Sequence, residues 1–525
     1  MKRVRSILAL TLALVLVLAM STAAFAADNT YSITINNASA DHTYEAYQIF
    51  AGDLSTNEAG NKVLSNIVWG TGVDTARTVD GKTLSDVFDG KTAAEVAKSL
   101  TTEADAKDFA LKVAPYLNTH TDSTAQSDGK YVISGLPAGY YLVKDRDNSL
   151  NNADDFYTAY IMQVVGNVEA APKGDKPTLK KEIKNGENWD TASGNQIGDT
   201  IEFRTVSTVP DTTGYTTYTY IIHDTMSEGL TSNVKSAADV TIKVNDTAVL
   251  DAAYYTVGAN GNTFTVTIDI LKAVADEKMK AGDTLYTYYS GVLNENAKTY
   301  DENSQNNTAY LEYSNNPNDN ENKGKTPDEK VYDWTFKMGI NKVNKDGKAL
   351  TGAKFVLSKN GNLSVSDMKC GENGVPTVTT DLIGLVKVEE GVYRIATAND
   401  PVENVVYTID AGNPVIKGLD DDVTYYLYET LAPVGYNLLA APVSFKISAK
   451  YTNGGSDLEA GSPTVVVDGG EPSTTLSTDV INNAGSTLPS TGGIGTTIFY
   501  ILGSLLVVVA GVVLVTRKRM NASEN

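Results

Sequence analysis

The chain alternates apolar and polar residues over most of its length, in short segments between two apolar ends. Thr, Val, Tyr and Ile recur at alternate positions in segments such as 218–222, 263–268 and 425–428, and Asn, Asp and Gly separate such segments. A period of two is typical of strands with one buried face, and many short strands favour sandwich folds. We therefore predict an all-β chain built from several β-sandwich domains.

One segment near the N-terminal end follows a helical period instead. Between residues 91 and 117, apolar residues recur every three or four positions, which is the spacing of an amphipathic helix. We predict one or two surface helices in the first domain, ending near Pro115, because proline cannot continue a helix. The apolar residues that carry this pattern are Val96, Leu100, Phe109, Val113 and Leu117.

The N-terminal apolar segment has the layout of a secretory signal peptide. Basic residues at positions 2–5 precede the apolar segment 7–20, and small residues follow up to Ala26. A basic start, a short apolar core and a small-residue cleavage site are the three parts of such a peptide. We therefore predict that residues 1–26 form a signal helix that is removed on export.

The C-terminal apolar segment, residues 494–515, is long enough to cross a bilayer as a helix. A basic cluster follows directly at 517–519, and such clusters stay on the cytoplasmic side of the membrane. We therefore predict a transmembrane helix that holds the bulk of the chain outside the cell. The pentapeptide just before this helix consists of Leu488, Pro489, Ser490, Thr491 and Gly492.

Two polar segments divide the mature chain. Residues 170–177 and 315–329 combine proline, glycine and charged residues, as exposed linkers do. A mature chain of roughly 465 residues is also too long for a single hydrophobic core. Residues 315–329 could instead be a long loop inside one domain, and a further boundary within the last domain is possible. The predicted domains are 28–172, 173–325 and 331–484, followed by the C-terminal segment 488–525.

The composition argues against several classes of function. The net charge of −21 repels nucleic acid, so we expect no nucleic-acid partner. Cys370 is the only cysteine, and no intrachain disulfide can form. The three histidines are far apart and lack the spacing of zinc ligands, so we expect no metal site and no cofactor. The usual nucleophile, metalloprotease and phosphate-binding motifs are missing, which argues against an enzyme, a wall-anchored hydrolase included.

Three polar residues of the last domain are predicted to point into its core. In the strand 336–342, alternation places Lys342 on the same face as three large apolar residues. The same argument directs Glu429 inward and favours Asn482 over Asn483. Burial lowers the pKa of a lysine and leaves a free amine, which can attack the amide carbon of asparagine. The carboxyl group would polarise the carbonyl and move protons, and an isopeptide bond would form as ammonia leaves.

The middle domain repeats this arrangement. Alternation favours Lys181 over Lys180 and Asn307 over Asn306 as the inward residues. Asp224 shares the apolar face of its own strand. We therefore predict a second buried set with the same chemistry. We find no comparable set of lysine, acid and asparagine in the first domain.

The last domain resembles the collagen-adhesin B-type domain of the sortase-assembled major pilins of Gram-positive bacteria. The resemblance lies in Lys342, the segment 346–355, the segment 428–436 and Asn482. The Glu-Thr-x-Ala-Pro-x-Gly-Tyr element within 428–436 supplies the catalytic acid in that family, which implies this role for Glu429.

The other two domains are also similar to those of major pilins. Segments 223–230 and 307–317 are similar to the isopeptide-forming second domain, which implies that Asp224 is the acid for a bond between Lys181 and Asn307. Segments 44–50 and 135–143 are similar to the N-terminal domain. The resemblance covers nearly the whole mature chain and implies tandem immunoglobulin-like sandwiches.

The C-terminal segment resembles the cell-wall sorting signal of Gram-positive surface proteins. The resemblance implies that a sortase cuts between Thr491 and Gly492 and passes the threonine carboxyl group to an amine. In major pilins this amine belongs to a lysine in a Tyr-Pro-Lys type motif. The match here is Ala171-Pro172-Lys173, which lacks the tyrosine, and Lys176 is the alternative acceptor.

Together these resemblances predict a shaft subunit of a covalently polymerised pilus. The expected partners are pilin-type and housekeeping sortases, other copies of the chain and peptidoglycan, with host surface molecules if the fibre adheres. The expected location is the cell wall, with transient anchoring through the C-terminal helix. The alternative is an accessory or tip adhesin of the pilus, or a monomeric wall-anchored adhesin, which would need no acceptor lysine.

Overall fold

The computed structural model describes residues 30–521 apart from 59, 148, 151–154, 156, 172–175, 318–320, 322 and 486–493. The predicted signal peptide, Lys173 and the motif 488–492 lie outside the described residues. Strands dominate the described part, which confirms the predicted all-β fold. They divide into three units, whose strands pair within each unit.

The N-terminal unit, residues 31–170, contains two sheets and the predicted helical part. Tyrosine and aliphatic side chains pack between the sheets of order β5-β1-β8 and β3-β2-β6-β7, and the helices cover the outer face of the larger sheet. A threonine begins each helix and accepts a hydrogen bond from the backbone in the first turn, as N-cap residues do. The strands and helices are β1 (Tyr31–Asn36), β2 (Tyr44–Thr56), β3 (Lys62–Trp69), α1 (Leu84–Val87), α2 (Ala93–Ser99), α3 (Glu103–Val113), β4 (Thr121–Asp122), β5 (Lys130–Leu136), β6 (Gly139–Asp145), β7 (Ala159–Val164) and β8 (Val168–Ala170).

The middle unit, residues 179–334, is a sandwich of two seven-stranded sheets. Strands β9, β12 and β19 are neighbours in one sheet, and β13, β20 and β22 belong to the other. The elements are β9 (Leu179–Asn185), β10 (Asn188–Asp190), β11 (Ala192–Gly194), β12 (Thr200–Thr208), β13 (Tyr220–Met226), β14 (Leu230–Ser232), β15 (Thr241–Val244), β16 (Ala248–Val249), β17 (Tyr255–Asn260), β18 (Thr263–Ile268), α4 (Ile270–Ala275), β19 (Thr284–Leu293), β20 (Gln305–Ser314), β21 (Lys323–Lys325) and β22 (Glu329–Trp334).

Strand pairing continues in the middle unit beyond residue 325. Both β21 and β22 pair with β20, and β22 also lies parallel to β11. The described residues of segment 315–329 therefore lie in this sheet or between its strands, which is the arrangement of a long loop inside one domain. Its proline, glycine and charged residues suit such a connection as well as they suit a linker.

The C-terminal unit, residues 336–482, packs a six-stranded sheet against a five-stranded sheet. Its first strand, β23, and its last strand, β35, are parallel neighbours. The strands are β23 (Phe336–Asn344), β24 (Lys354–Ser358), β25 (Leu385–Glu389), β26 (Val392–Ile395), β27 (Val405–Val406), β28 (Ile409–Asp410), β29 (Val415–Leu419), β30 (Thr424–Leu431), β31 (Val443–Ser448), β32 (Tyr451–Thr452), β33 (Asp457–Leu458), β34 (Thr464–Val467) and β35 (Ser477–Asn482).

A single helix, α5 (Ile494–Asn521), follows the C-terminal unit. Residues Ile498–Met520 within it are long and apolar enough to cross a membrane. The helix extends past the predicted end at residue 515 and includes the basic cluster. Its described apolar side chains are exposed, as expected for a surface that faces lipid.

Candidate cross-linking sites

The C-terminal unit brings Lys342, Glu429 and Asn482 together in its core. Lys342 lies on β23, Asn482 on the adjacent β35, and Glu429 on β30 of the facing sheet. Their side chains follow the apolar face of each strand, and each residue is at most 1% exposed. Asn483, by contrast, is exposed.

The three side chains make direct contacts. Lys342 Nζ contacts Asn482 Oδ1, and it lies 3.2 Å from Glu429 Oε1. The Asn482 amide Nδ2 donates to both Glu429 oxygens, at 3.0 and 2.9 Å, and to the carbonyl of Asn437 at 2.9 Å. Glu429 Oε2 also accepts from the backbone N–H of Leu439 at 2.9 Å. The set is thus held in place by the backbone around it.

This arrangement contains the amine, the amide and the carboxyl group that isopeptide bond formation requires. Burial lowers the pKa of Lys342, although the carboxylate of Glu429 opposes that shift. A larger fraction of this lysine is therefore the neutral amine than in water. The amine lies next to the amide that it would attack. Glu429 contacts the nitrogen that would depart, and a carboxyl group in that position can protonate it as it leaves as ammonia.

The middle unit brings together Lys181 on β9, Asp224 on β13 and Asn307 on β20. Each is at most 1% exposed, whereas Lys180 is exposed. Lys181 Nζ lies 2.6 Å from Asp224 Oδ2. Burial lowers the pKa of Lys181 and raises that of Asp224, which favours their neutral forms, although their attraction opposes both shifts.

The Asn307 amide is buried without a regular hydrogen bond. Its side chain interacts with Asp224 and Tyr289, yet neither amide atom has a hydrogen-bond partner of good geometry. Asp224 Oδ1 is also unpaired. A buried polar group left in this state costs about 1–3 kcal/mol. A covalent bond between Lys181 and Asn307 would remove this cost together with the buried charge.

The residues of the two sets are distributed differently over the two sheets of each sandwich. In the C-terminal unit, lysine and asparagine lie on adjacent strands of one sheet, and the acid comes from the other sheet. In the middle unit, Lys181 lies on one sheet, and Asp224 and Asn307 lie on the other. A bond in the middle unit would therefore join its two sheets.

Sequence reasoning missed Tyr289, which lies on β19 and contacts both Lys181 and Asp224 through its hydroxyl group. It alternates with the buried residues Leu285 and Thr287, so an inward direction was detectable from the sequence. Its proximity to Lys181 depends on how β9 and β19 flank β12, which no local pattern specifies.

The N-terminal unit has a buried charged group of another kind. His42 lies between Asp145, at 2.8 Å from its Nδ1, and Asp155, at 3.2 Å from its Nε2. Burial lowers the pKa of His42, but the two carboxylates outweigh this effect and raise it. Among the described residues of this unit, no lysine or asparagine is buried, so a set like the other two is not formed there.

One group in the N-terminal unit has the geometry to hold a metal ion. Potential ligand atoms of Glu45, His120 and Asp122 lie within 4.8 Å of one another. Arg146 already pairs with both acids, at 2.9 Å from Glu45 and 2.5 Å from Asp122. The group is therefore better described as a partly exposed ion-pair network.

The residues proposed for polymerisation are mostly beyond the described part. Lys173 and all five residues of the motif 488–492 lie outside it. Lys176 is described and lies shortly before β9. Their roles stay predictions from the sequence.

Two segments match protein-family models. Residues 336–457 match the SpaA family, described as a prealbumin-like fold domain. Residues 481–521 match the LPXTG cell wall anchor motif, which includes the predicted sorting signal.

The chain is also similar to curated fimbrial subunits and to solved pilin structures. The chain is 27% identical over 509 residues to fimbrial subunit type 2 of Actinomyces naeslundii, covering 91% of this chain and 83% of that protein. It is 35% identical over 107 residues to fimbrial subunit type 1 of Actinomyces viscosus, covering 20% and 17%. Among structures, the major pilin SpaD of Corynebacterium diphtheriae is 18% identical, with a TM-score of 0.44 and coverage of 89% and 100%. The T6 backbone pilin of Streptococcus pyogenes is 16% identical, with a TM-score of 0.43 and coverage of 88% and 100%.

The domain and anchor matches, together with the fimbrial relative that spans most of the chain, support a pilus subunit of the Gram-positive kind. The chain is a structural pilus subunit that ends in an LPXTG cell-wall anchor, and it is not an enzyme. This confirms the predicted class and the predicted location on the cell surface.

Proposed function

We propose that the chain is the shaft subunit of a covalently polymerised pilus. A pilin-type sortase joins Thr491 of one subunit to Lys173 of the next, and a housekeeping sortase attaches the base of the fibre to peptidoglycan. The C-terminal helix then serves as a temporary membrane anchor, which is released when Thr491 is transferred. The order of sorting motif, apolar helix and basic cluster, together with the anchor match, supports this role.

We also propose that each subunit carries two internal isopeptide bonds, which make the fibre resistant to tension. The contact of Lys342, Glu429 and Asn482 is the observation that carries this proposal. Three buried polar groups without a reaction to perform would be costly in an apolar core. The reaction converts the Lys342 amine and the Asn482 amide into one neutral amide, releases ammonia and leaves Glu429 protonated.

Polymerisation can be tested by co-expression with a pilin-type sortase. The wild-type chain should yield a ladder of covalent multimers on denaturing gels, and Lys173→Ala should abolish it. Lys180→Ala is the matched control because it removes an exposed lysine at the start of the same domain. A ladder that survives Lys173→Ala but disappears with Lys176→Ala would move the acceptor to Lys176. A wild-type chain that stays monomeric would contradict the role as a shaft subunit.

A further inference from the structure

Tyr289 is a polar contact of the middle set that sequence reasoning did not assign. It is 5% exposed and lies on β19, in the same sheet as Lys181. Lys181 Nζ donates a hydrogen bond to the tyrosine hydroxyl, and the hydroxyl donates to Asp224 Oδ2. The hydroxyl group therefore bridges the reacting amine and the acid across the sandwich.

Aromatic side chains fix the position of this hydroxyl group. The Phe264 ring packs against the Tyr289 ring edge to face, with 4.9 Å between centroids, and Phe203 stacks at 6.0 Å. Lys181 Nζ also lies 4.8 Å from the centre of the tyrosine ring. The ring cannot move away without opening this core, so its hydroxyl is held against both partners.

We propose that Tyr289 is a further catalytic residue of the middle unit, whose hydroxyl group holds the Lys181 amine and relays its proton to Asp224. This inference rests on the proposed isopeptide bond between Lys181 and Asn307. Asp224 Oδ2 accepts from both Lys181 and Tyr289, whereas Oδ1 has no partner. Oδ1 is therefore the oxygen that is available to exchange a proton with the Asn307 amide.

The proton balance of the reaction assigns each group a task. Tyr289 gives its proton to Asp224 as it takes one from the Lys181 ammonium group, and the free amine attacks Asn307 Cγ. The new C–N bond forms, the bond from Cγ to Nδ2 breaks, and ammonia leaves. Lys181 loses two protons in total: one departs with ammonia, and the other remains on Asp224.

The C-terminal set differs from the middle set in the aromatic residue beside its lysine. Glu429 is one methylene longer than Asp224, and its carboxylate contacts Lys342 and the Asn482 amide directly. A phenylalanine, Phe355, faces Lys342 with its ring centre 5.6 Å from Nζ. In the middle unit, Asp224 also contacts its lysine directly, and the Tyr289 hydroxyl group is a further partner of both Lys181 and Asp224.

The test is the rate of bond formation in Tyr289→Phe, measured in the mature chain, residues 27–491. The chain is made by cell-free synthesis and quenched in denaturant at timed intervals, and peptide mass spectrometry quantifies the two cross-linked peptides. We expect the Lys181–Asn307 bond to form about ten-fold more slowly, which is the scale of one lost hydrogen bond to a charged group. The Lys342–Asn482 bond in the same molecules is the internal control and should be unaffected.

Tyr220→Phe is the matched control variant, because Tyr220 is buried in the same unit but donates to Ser207 and to the Thr208 carbonyl. It should leave both rates unchanged. A Tyr289→Phe rate within three-fold of this control would overturn the inference. If the wild type itself forms no Lys181–Asn307 bond, the proposed function of this site fails with it.

A second variant keeps the test decisive if Tyr289→Phe does not fold. Placing 3-fluorotyrosine at position 289 makes the hydroxyl group more acidic while preserving the ring and its contacts. We expect it to change the rate of the Lys181–Asn307 bond only. An unchanged rate would contradict the relay.

Discussion

At the residue scale, Glu429 is the side chain on which the proposed cross-link of the C-terminal unit depends. Its two oxygens hold the Asn482 amide nitrogen, and one of them also faces Lys342. A glutamine in its place would keep the size and some hydrogen bonds of the side chain. It could not donate and recover the proton that the reaction moves.

We therefore expect Glu429→Gln to abolish the Lys342–Asn482 bond and to destabilise the C-terminal unit. The two residues are 140 positions apart, and closing such a loop stabilises a domain by about 5 kcal/mol if the relation for disulfides applies. The melting temperature of the unit should fall by about 10 °C or more in calorimetry. Glu403→Gln, an exposed change in the same unit, should leave it unchanged. Equal melting temperatures for the two variants would contradict the prediction.

The sequence was sufficient to select the inward residues of both sets, because strand alternation separates neighbours cleanly. Lys181 is buried and Lys180 exposed, and Asn482 is buried and Asn483 exposed. Alternation fails at Glu182, which is also buried, because it pairs at 2.6 Å with Arg204 on the adjacent strand. Such cross-strand partners depend on register, which is a long-range property.

At the scale of elements, the proposed cross-link of the C-terminal unit would join the parallel neighbours β23 and β35. Lys342 pairs with Val480, so Asn482 is its diagonal neighbour on the same face. The chain enters this unit at its first strand, β23, and leaves it after its last strand, β35. A bond between these strands would therefore carry tension past the rest of the unit.

We expect single-molecule pulling from the two ends of the mature chain to show no unfolding of the C-terminal unit below the force that breaks covalent bonds. In Glu429→Gln, the same unit should extend by most of the chain between Lys342 and Asn482. A wild-type chain that extends by this length would contradict a cross-link between β23 and β35.

Pairing of elements also shows where sequence reasoning reaches its limit. The proline- and glycine-rich segment after β20 predicts a break in structure, but not whether a domain ends there. The strand β22 returns to the sheet and buries Val331 and Asp333. Only the pairing of β22 with β20 and β11 reveals this.

At the scale of the whole molecule, the middle and C-terminal units meet at a group of four acids, of which Asp333 is buried and the others are half-buried. Asp199 and Asp333 come from the middle unit, and Asp420 and Asp421 come from the C-terminal unit. Burial raises the pKa of Asp420 to about 8 and that of Asp421 to about 6, and neighbouring carboxylates add to both shifts. The nearby Lys359 opposes the shift of Asp420 only in part.

We expect this joint to weaken as the pH rises. A carboxyl group whose pKa is higher in the folded state binds its proton more tightly there. Its stabilising effect is therefore complete below about pH 4 and is lost as the pH rises to about 8. The melting temperature should fall between pH 5 and 8.5 and should fall less in Asp420→Asn, measured by calorimetry. Glu459→Gln, an exposed change in the same unit, is the control, and identical slopes for Asp420→Asn and the wild type would contradict the prediction.

The covalent state of the mature chain tests the central claim most directly. Intact mass spectrometry of residues 27–491 should give a mass lower than the sequence mass by two ammonia molecules. Peptide mapping should place the two bonds at Lys181–Asn307 and Lys342–Asn482. An unmodified mass for the folded chain would contradict the account of both sites.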